Sequence, residues 1–362
     1  TLGFRGDLLR FGLGEILAAT GANNPSGARG GGLAFVLPDA NLRSPYSQHW
    51  NLSFEHQFAR DYVVTASYVG STGTKLIRFR NPNGGPNSFT IIAPDSSLPA
   101  AFGPVSIAPP RKDPNLGPFT VIEASASSIY HSLQLSVNRR LANGLQFGSS
   151  YTYGHTIDEV SDVFDTAGSF TLPQNENNLR AERASASFDI RHRSVTYFNY
   201  DLPFFKKYPL LSDFQINGVA TLQTGQPFTV NQGFDINRDG NLNDRLDIDG
   251  FINQVDNGIQ RLNNPSKSLR DALLLIGTGV RTGGVGRNTF RAAGVATVDL
   301  AVVKKFKFNE KQFLSVRTEF FNLFNRTHFG IPVRTFGAPA FGRSVNTSLS
   351  ARVIQFAVKY QF

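Results

Sequence analysis

Apolar and polar residues alternate along nine short stretches of this sequence. The first runs from Trp50 to Phe58, where Leu52 and Phe54 are separated by Ser53. Successive side chains of a strand point to opposite faces, so this period of two predicts β-strands with one apolar face. The other eight predicted strands cover residues 62–68, 133–137, 145–153, 193–202, 214–222, 298–302, 314–320 and 354–362.

The connections between these stretches are of two kinds. Short turns are predicted at 60–61, 142–144 and 307–311, and long segments at 70–128, 154–190, 223–295 and 325–350. Outer-membrane barrels have short turns at one end and long loops at the other, and their strands of about 9–11 residues cross the bilayer at a tilt of about 45°. We therefore predict an all-β, antiparallel transmembrane β-barrel segment of about 9–12 strands, which need not close into a barrel.

The side chains between the apolar positions support this interpretation. They are mostly Ser, Thr, Asn and Gln with few charges, such as Arg317 and Glu319, and a wet lumen tolerates such a face. Aromatic residues lie near strand ends, where interfacial girdles form: Trp50, Tyr68, Tyr153, Tyr197, Tyr200 and Tyr360. A soluble β domain with aromatic core positions is the alternative, because alternation is a weak signal in any single segment.

The composition narrows the chemistry. There are 362 residues, 32 of them Phe and 34 Gly, with no Cys, so disulfides, Cys-ligated metals and Cys nucleophiles are excluded. The sequence begins at Thr1 and contains no Met, so we expect a processed chain or a fragment. Hydrolase, zinc-protease and P-loop motifs are absent, and we predict neither an enzyme nor a certain cofactor.

The net charge of +9 is concentrated near the C-terminus. Residues 281–362 hold 13 of the 36 Lys and Arg residues and 3 of the 27 Asp and Glu residues. These basic residues alternate with apolar ones along predicted strands instead of clustering on one surface. We therefore expect no nucleic-acid partner.

Two acidic segments lie in the predicted long loops. Loop 235–249 begins with D-x-N-x-D-G, the first half of a calcium loop, but Leu246 occupies the position of the bidentate Glu. The candidate calcium ligands are Asp235, Asn237, Asp239, Asn241 (through its backbone carbonyl) and Asp247. A surface loop rich in Asx turns explains the same residues without a metal. A second acidic run, Asp158 to Asp165, is expected to be solvated.

The last eleven residues resemble the terminal strand of bacterial outer-membrane proteins. Residues Arg352–Phe362 alternate without a break and end on Phe. The resemblance implies that Tyr360 and Phe362 form the signal read by the barrel-assembly machinery.

Longer motifs are similar to one family, the Oar-like TonB-dependent receptors. They are Ser44–Ser53, Val69–Leu76, Tyr130–Gln134, Ser150–Tyr153, Gly286–Thr289 and Glu319–Asn325. The resemblance implies that 46–362 is the C-terminal part of such a barrel with long extracellular loops, and that 1–45 is a loop or linker leading into it. It also implies residence in the bacterial outer membrane, contact with outer-membrane lipid, and ligand uptake energised by TonB.

The family's plug and TonB box have no counterpart in this sequence, so contact with TonB is expected through the missing N-terminal region. We therefore expect that this chain alone does not transport. Two other functions fit the same residues: an outer-membrane adhesion or binding protein with calcium-stabilised loops, and a soluble calcium-binding β domain.

Overall fold

The computed structural model describes residues 35–82, 89–90, 106–107, 119–162, 171–176, 178–203, 208, 212–231, 243–245, 255–256, 259–260, 285–309, 312–335 and 338–362. Nine long strands form one antiparallel sheet in chain order. They are β1 (Tyr46–Phe58), β2 (Tyr62–Arg80), β3 (Phe119–Ala142), β4 (Leu145–Asp158), β5 (His192–Asp201), β6 (Phe214–Gln223), β7 (Val295–Lys307), β8 (Phe313–Phe321) and β9 (Val353–Gln361). Each coincides with one of the nine predicted strands, so the all-β prediction is confirmed.

Short elements complete the described structure. Phe35–Pro38 pairs in parallel with β3, and Ala184–Ser185 pairs with β4. Three two-stranded ladders join Phe89–Thr90 to Ser106–Ile107, Pro227–Phe228 to Phe290–Arg291, and Val255–Asp256 to Ile259–Gln260. The described helical structure is a single 3-10 turn, Leu179–Glu182. No helix within the described ranges is long and apolar enough to cross a membrane.

Two strands are much longer than predicted. The 19 residues of β2 and the 24 residues of β3 exceed the expected 9–11, and they include parts of the segment predicted as the long loop 70–128. Beyond Gly70 the two strands stay paired as far as Arg80 and Val121, with a register shift between Gly73 and Ile77. Around Gly73 and Lys75 a register shift and a run of small and polar residues interrupt the alternation, which resumes at Ile77–Arg80, and the sequence-based prediction ended at this interruption.

The sheet is open at both edges. Strand β1 pairs only with β2, and β9 pairs only with β8, over the residues that the structure describes. No described hydrogen bond joins Ile354–Tyr360 to Trp50–Phe58. The prediction of a barrel segment that need not close is therefore confirmed.

The turn between β3 and β4 shows how a short turn is encoded. Asn143 and Gly144 have φ of 50° and 77°. Positive φ at both central residues defines the type I′ turn, whose twist matches that of the flanking strands. A Cβ at residue 144 would also lie 2.8 Å from the Asp201 carbonyl oxygen, so glycine is required on two grounds.

The nine strands give the sheet two chemically different faces. The apolar face, defined by register partners across the sheet, includes Phe54, Ala66, Leu135, Tyr151, Leu300, Phe320 and Ile354. The polar face includes Ser53, Ser67, Gln134, Thr152, Asn217, Arg317 and Gln355. Large apolar side chains on the first face are exposed, as Leu52 is at 75% and Phe356 at 73%. Such a surface requires an apolar environment outside the protein.

Candidate functional site

The long connections all leave the sheet at one end, which we call the loop end. At this end β2 and β3 continue about 33 Å beyond Gly70, at about 3.3 Å per residue. Segments 159–191, 224–294 and 322–352 start and finish there as well. The loop end is therefore where this sheet can offer a recognition surface.

The extensions of β2 and β3 are joined by charged side chains. Arg78 and Glu123 are register partners, with Arg78 Nε 4.0 Å from Glu123 Oε1. Arg80 Nε donates to Glu123 Oε2 at 3.0 Å and lies 3.9 Å from Glu176. Burial lowers the pKa of Arg78, while the charge of Glu123 opposes that shift. The buried cation is thus compensated by nearby carboxylates, although its Nε and Nη2 have no hydrogen-bond partner in the described structure.

A buried ion pair links two different loops. Arg245 Nη1 donates to both carboxylate oxygens of Glu182, at 3.0 and 2.8 Å. Both side chains are about 5% exposed, so water does not screen the pair. Two further hydrogen bonds support the pair: Arg245 Nε donates to the Val285 carbonyl at 2.9 Å, and Glu182 accepts from the Gln174 amide at 3.0 Å. Additional hydrogen bonds of this kind help to offset the cost of burying two charges.

Arg287 makes a second link between the same loops. Its guanidinium donates to the carbonyl oxygens of Glu182 at 2.8 Å and Asp158 at 2.7 Å, and to Ser161 Oγ at 3.1 Å. It also forms an ion pair with the buried Asp158 carboxylate. The expectation that the acidic run 158–165 is solvated is therefore wrong at Asp158, since an arginine distant in sequence covers it.

Arg291 makes the third link. Its Nη2 donates to Asp189 Oδ2 at 2.6 Å, and the other oxygen of that buried carboxylate accepts from the Thr156 amide at 2.8 Å. Arg191 Nε lies 3.6 Å from the same Asp189 Oδ2. Arg245, Arg287 and Arg291 together, which we call the arginine clamp, attach residues 243–245 and 285–291 to Asp158, Ser161, Glu182 and Asp189.

A small apolar cluster and one asparagine support the clamp. Phe228, Val230 and Phe290 form the buried core of the loop end. Asn288 adopts φ of 53° and donates from Nδ2 to the Ser185 carbonyl at 2.8 Å. The motif Gly286–Thr289 therefore positions Arg287 and Asn288 as loop connectors. It gives no catalytic arrangement among the described residues.

The motif Glu319–Asn325 is also structural. Asn322 is buried, has φ of 51°, and its Nδ2 donates to the carbonyl oxygens of Arg326 and Ser350. Asn325 has the same φ, and its Oδ1 accepts from the Arg352 amide at 3.0 Å. The two asparagines thus end β8 and lead the chain back into β9, because asparagine tolerates left-handed backbone better than most residues.

The polar face has a cavity of about 390 Å³ near the end with the short turns. Amide and charged side chains line it, including Gln146, Asn199, Asp201, Gln215, Asn217 and Arg317. Arg317 Nη2 lies 2.5 Å from Glu319 Oε1 on the same strand, so these two charges neutralise each other. The lining is polar and includes charge besides this pair, and it places no nucleophile beside an activating base.

Aromatic side chains border the apolar face at both ends. Trp50, Tyr68 and Tyr153 lie near the loop end, and Tyr200 and Tyr360 near the short turns, as predicted for interfacial girdles. The prediction is wrong for Tyr197. Its register partners are Gly148 and Val219 on the polar face, and its hydroxyl donates to Asn138 Oδ1 at 3.4 Å.

The predicted calcium ligands cannot be located. Asp235, Asn237, Asp239, Asn241 and Asp247 lie outside the described residues. The part of loop 235–249 that is described, residues 243–245, is tied into the loop end: Asp244 is fully buried, and Asn243 donates to the carbonyls of Leu172 and Pro173. No group of three or more acidic or His side chains with metal-binding geometry occurs in the described part of the chain. Calcium binding stays a prediction.

The two residues of the predicted assembly signal lie on the open edge of the sheet. Tyr360 contacts Phe308 edge to face at 6.4 Å and stacks on Phe362 at 6.0 Å. Phe362 is 89% exposed. Both aromatic rings are accessible, and their role in assembly stays a prediction.

Comparison with solved structures finds similarity to larger outer-membrane proteins. The outer membrane transporter YddB from Escherichia coli is 10% identical, with a TM-score of 0.49, over 92% of this chain and 34% of its own. The FrpB iron transporter from Neisseria meningitidis (F3-3 variant) is 10% identical over 91% of this chain and 32% of its own, with a TM-score of 0.42. The siderophore receptor PirA from Acinetobacter baumannii is 12% identical over 89% of this chain and 32% of its own, with a TM-score of 0.42. This chain thus spans about a third of each, and likenesses this weak carry no argument about function.

The comparison with family models identifies the family of this chain, which the solved structures do not. No curated protein matches the sequence. The family model for an outer membrane beta barrel domain matches residues 11–355. In such barrels the apolar face contacts lipid, short turns face the periplasm and long loops face outward. The two-faced antiparallel sheet has these features, and the chain belongs to the outer membrane beta barrel domain family of the bacterial outer membrane.

Proposed function

We propose that this chain is the C-terminal part of the barrel of an Oar-like TonB-dependent receptor, which takes up a ligand across the outer membrane. Residues 46–362 form the barrel part with its extracellular loops, and 1–45 lead into it. TonB acts through a region outside this chain. The observation that supports this proposal best is the open sheet, whose nine strands have a continuous apolar face and two unpaired edges.

The open edges matter because a bilayer offers no water to satisfy the backbone. Each unpaired N–H or C=O group in hydrocarbon costs several kcal/mol, so an exposed strand edge cannot face lipid. Strand β9 has nine residues and β1 has thirteen, which makes that cost prohibitive. Further strands must therefore cover both edges, and a larger receptor barrel supplies them.

The polar face and the loop end suit uptake better than catalysis. Within the described residues, amide and charged side chains line the cavity of the polar face, and the clamp arginines are engaged with Glu182, Asp158 and Asp189. Neither region places a nucleophile, a base and an oxyanion site together. We infer a receptor without enzymatic activity of its own.

Two partners follow from the same proposal. Outer-membrane lipid covers the apolar face, and the barrel-assembly machinery reads the exposed rings of Tyr360 and Phe362 at the edge of β9. Assembly by this route also requires the edge of β9 to be free when the chain is delivered, as it is in the open sheet.

A second candidate function is surface adhesion or binding, with calcium stabilising the loops. One observation favours it: the arginine clamp holds residues 243–245 and 285–291 firmly against Asp158, Glu182 and Asp189 at the loop end. A rigid surface costs less conformational entropy when it binds a partner than mobile loops do. Ligand uptake does not require such a rigid surface. The two functions also predict different phenotypes for gene deletions.

A comparison of two deletions tests these proposals. Strains lacking the gene for this protein and strains lacking TonB are assayed for accumulation of a panel of radiolabelled nutrients and for attachment to surfaces. A receptor predicts that at least one nutrient is lost in both strains. Adhesion predicts that attachment falls only when the gene itself is deleted, and that outcome with no shared loss of uptake contradicts the receptor.

A further inference from the structure

Three histidines lie side by side where the apolar face meets the loop end. His131 on β3 and His155 on β4 are register partners, and His192 begins β5 opposite Tyr153. All three therefore point outward, on the same face as the lipid-contacting side chains. His131 and His192 are exposed. Their depth is that of the girdle, since Tyr68 and Tyr153 are the register partners of Leu133, two residues along β3 from His131.

Tyrosines orient two of these imidazoles. The Tyr68 hydroxyl lies 2.7 Å from His131 Nδ1, and the Tyr151 hydroxyl lies 2.7 Å from His192 Nδ1. Because Nδ1 is engaged in both rings, Nε2 is the nitrogen left to bind something outside the wall. Aromatic contacts restrain the rings further: the ring centroids of His131 and Trp50 are 6.2 Å apart, and those of His192 and Tyr153 are 5.0 Å apart.

No acidic side chain on the described apolar face opposes an anion at these histidines. Among described strand positions in register with the apolar face between Tyr46 and Tyr360, none is Asp or Glu. The nearby carboxylate, Asp189, is buried and already paired with Arg291.

We propose that His131 and His192 form a binding site for the phosphate group of an outer-membrane lipid. We call it the rim site. The site rests on the membrane orientation of the proposed receptor, because it lies at the depth where headgroups meet acyl chains. An imidazole N–H donates a hydrogen bond to a phosphate oxygen, and the bond is charge-assisted because the acceptor is ionised. The apolar face directly below accommodates the acyl chains of the same lipid, while Trp50 and the tyrosines occupy the interface.

The test uses the whole protein purified from outer membranes in a non-ionic detergent. Native mass spectrometry measures the retention of dioctanoyl phosphatidic acid and of dioctanoylglycerol, which lacks the phosphate. We expect phosphatidic acid to bind, and its affinity to fall about tenfold or more in the double variant H131L/H192L.

His56→Leu provides a matched control. His56 faces outward on β1 opposite Val64, away from the rim site, so this variant should bind phosphatidic acid like the parent. Equal retention of the two lipids, or unchanged binding by H131L/H192L, would overturn the rim site. Complete competition by inorganic phosphate would overturn its assignment to a lipid. Outer-membrane fractionation of each variant separates the two proposals, because a variant that is folded in the membrane but shows no phosphate preference refutes the rim site alone.

Discussion

Leu135 offers the sharpest test of which face of the sheet contacts lipid. It lies on the apolar face of β3, in register with Ala66 and Tyr151. Along the same face, His131 lies four residues toward the loop end and Arg139 four residues toward the short turn. The change we consider is Leu135→Arg, which places a guanidinium between these two polar borders.

The expected cost follows from that position. At about 3.3 Å per residue, each border is about 13 Å from Leu135 along the strand. An arginine side chain cannot extend that far, so its charge stays in the hydrocarbon instead of reaching the interface. Arginine at the midplane of the lipid face costs about 2–4 kcal/mol. A cost of 2.8 kcal/mol would correspond to a ~100-fold change in the folding equilibrium.

The neighbouring residue supplies the control. Ser136 points to the polar face, where its register partners are Thr65 and Ser150. The same new side chain at Ser136→Arg meets hydroxyl groups and water, so the effect should stay within about 0.5 kcal/mol. The measurement is a urea unfolding titration of the whole protein refolded in phospholipid vesicles, together with the outer-membrane yield of each variant.

Two results would refute this reasoning. Equal unfolding midpoints for Leu135→Arg and Ser136→Arg would mean that lipid does not contact the apolar face. A larger loss at Ser136 than at Leu135 would mean that the faces are reversed. Either result would remove the basis for the membrane orientation.

Three further predictions follow from other parts of the chain. Val358→Arg should reduce outer-membrane yield more than Val316→Arg, since both are on the lipid face but only Val358 lies in the predicted assembly signal; equal yields would count against that signal. Arg245→Met leaves the buried Glu182 charge unpaired and should cost about 3–5 kcal/mol of loop-end stability. Limited proteolysis should then cut segment 243–291 faster, and adding Glu182→Leu should restore part of the lost stability. If loop 235–249 binds calcium, calorimetry on the whole protein should give heat at millimolar calcium that Asp239→Ala abolishes, and no heat for the parent would exclude the site.

The strands could be predicted because their physical cause is local. Alternation such as that of Leu133, Leu135 and Val137 arises because lipid contacts one face and water the other. Each residue of a strand is therefore apolar or polar according to the face on which it lies. The Asn143–Gly144 turn is equally local, since its backbone conformation depends on two residues. Where small and polar residues and a register shift interrupt the alternation, as between Gly70 and Lys75, the sequence-based prediction stops too early.

The loop end could not be predicted in this way. Arg287 and Asp158 are 129 residues apart, and Arg245 and Glu182 are 63 apart. Nothing in the local sequence indicates which arginine covers which carboxylate, so an acidic run that is solvated and one that is buried have the same sequence pattern. The resemblance of Gly286–Thr289 to one family was the one signal that pointed to this region, and it gave no contact.

The sequence by itself determined the nine strands, the polarity of their faces and the end at which the long loops lie, because these depend on neighbours along the chain and on the solvent. The tertiary structure decided the length of β2 and β3, the arginine clamp and the grouping of His131, His155 and His192. It also decided that Tyr197 belongs to the polar face, a matter of a single residue of register. Those features depend on which strands and loops meet in space, and long-range packing, rather than local periodicity, sets that.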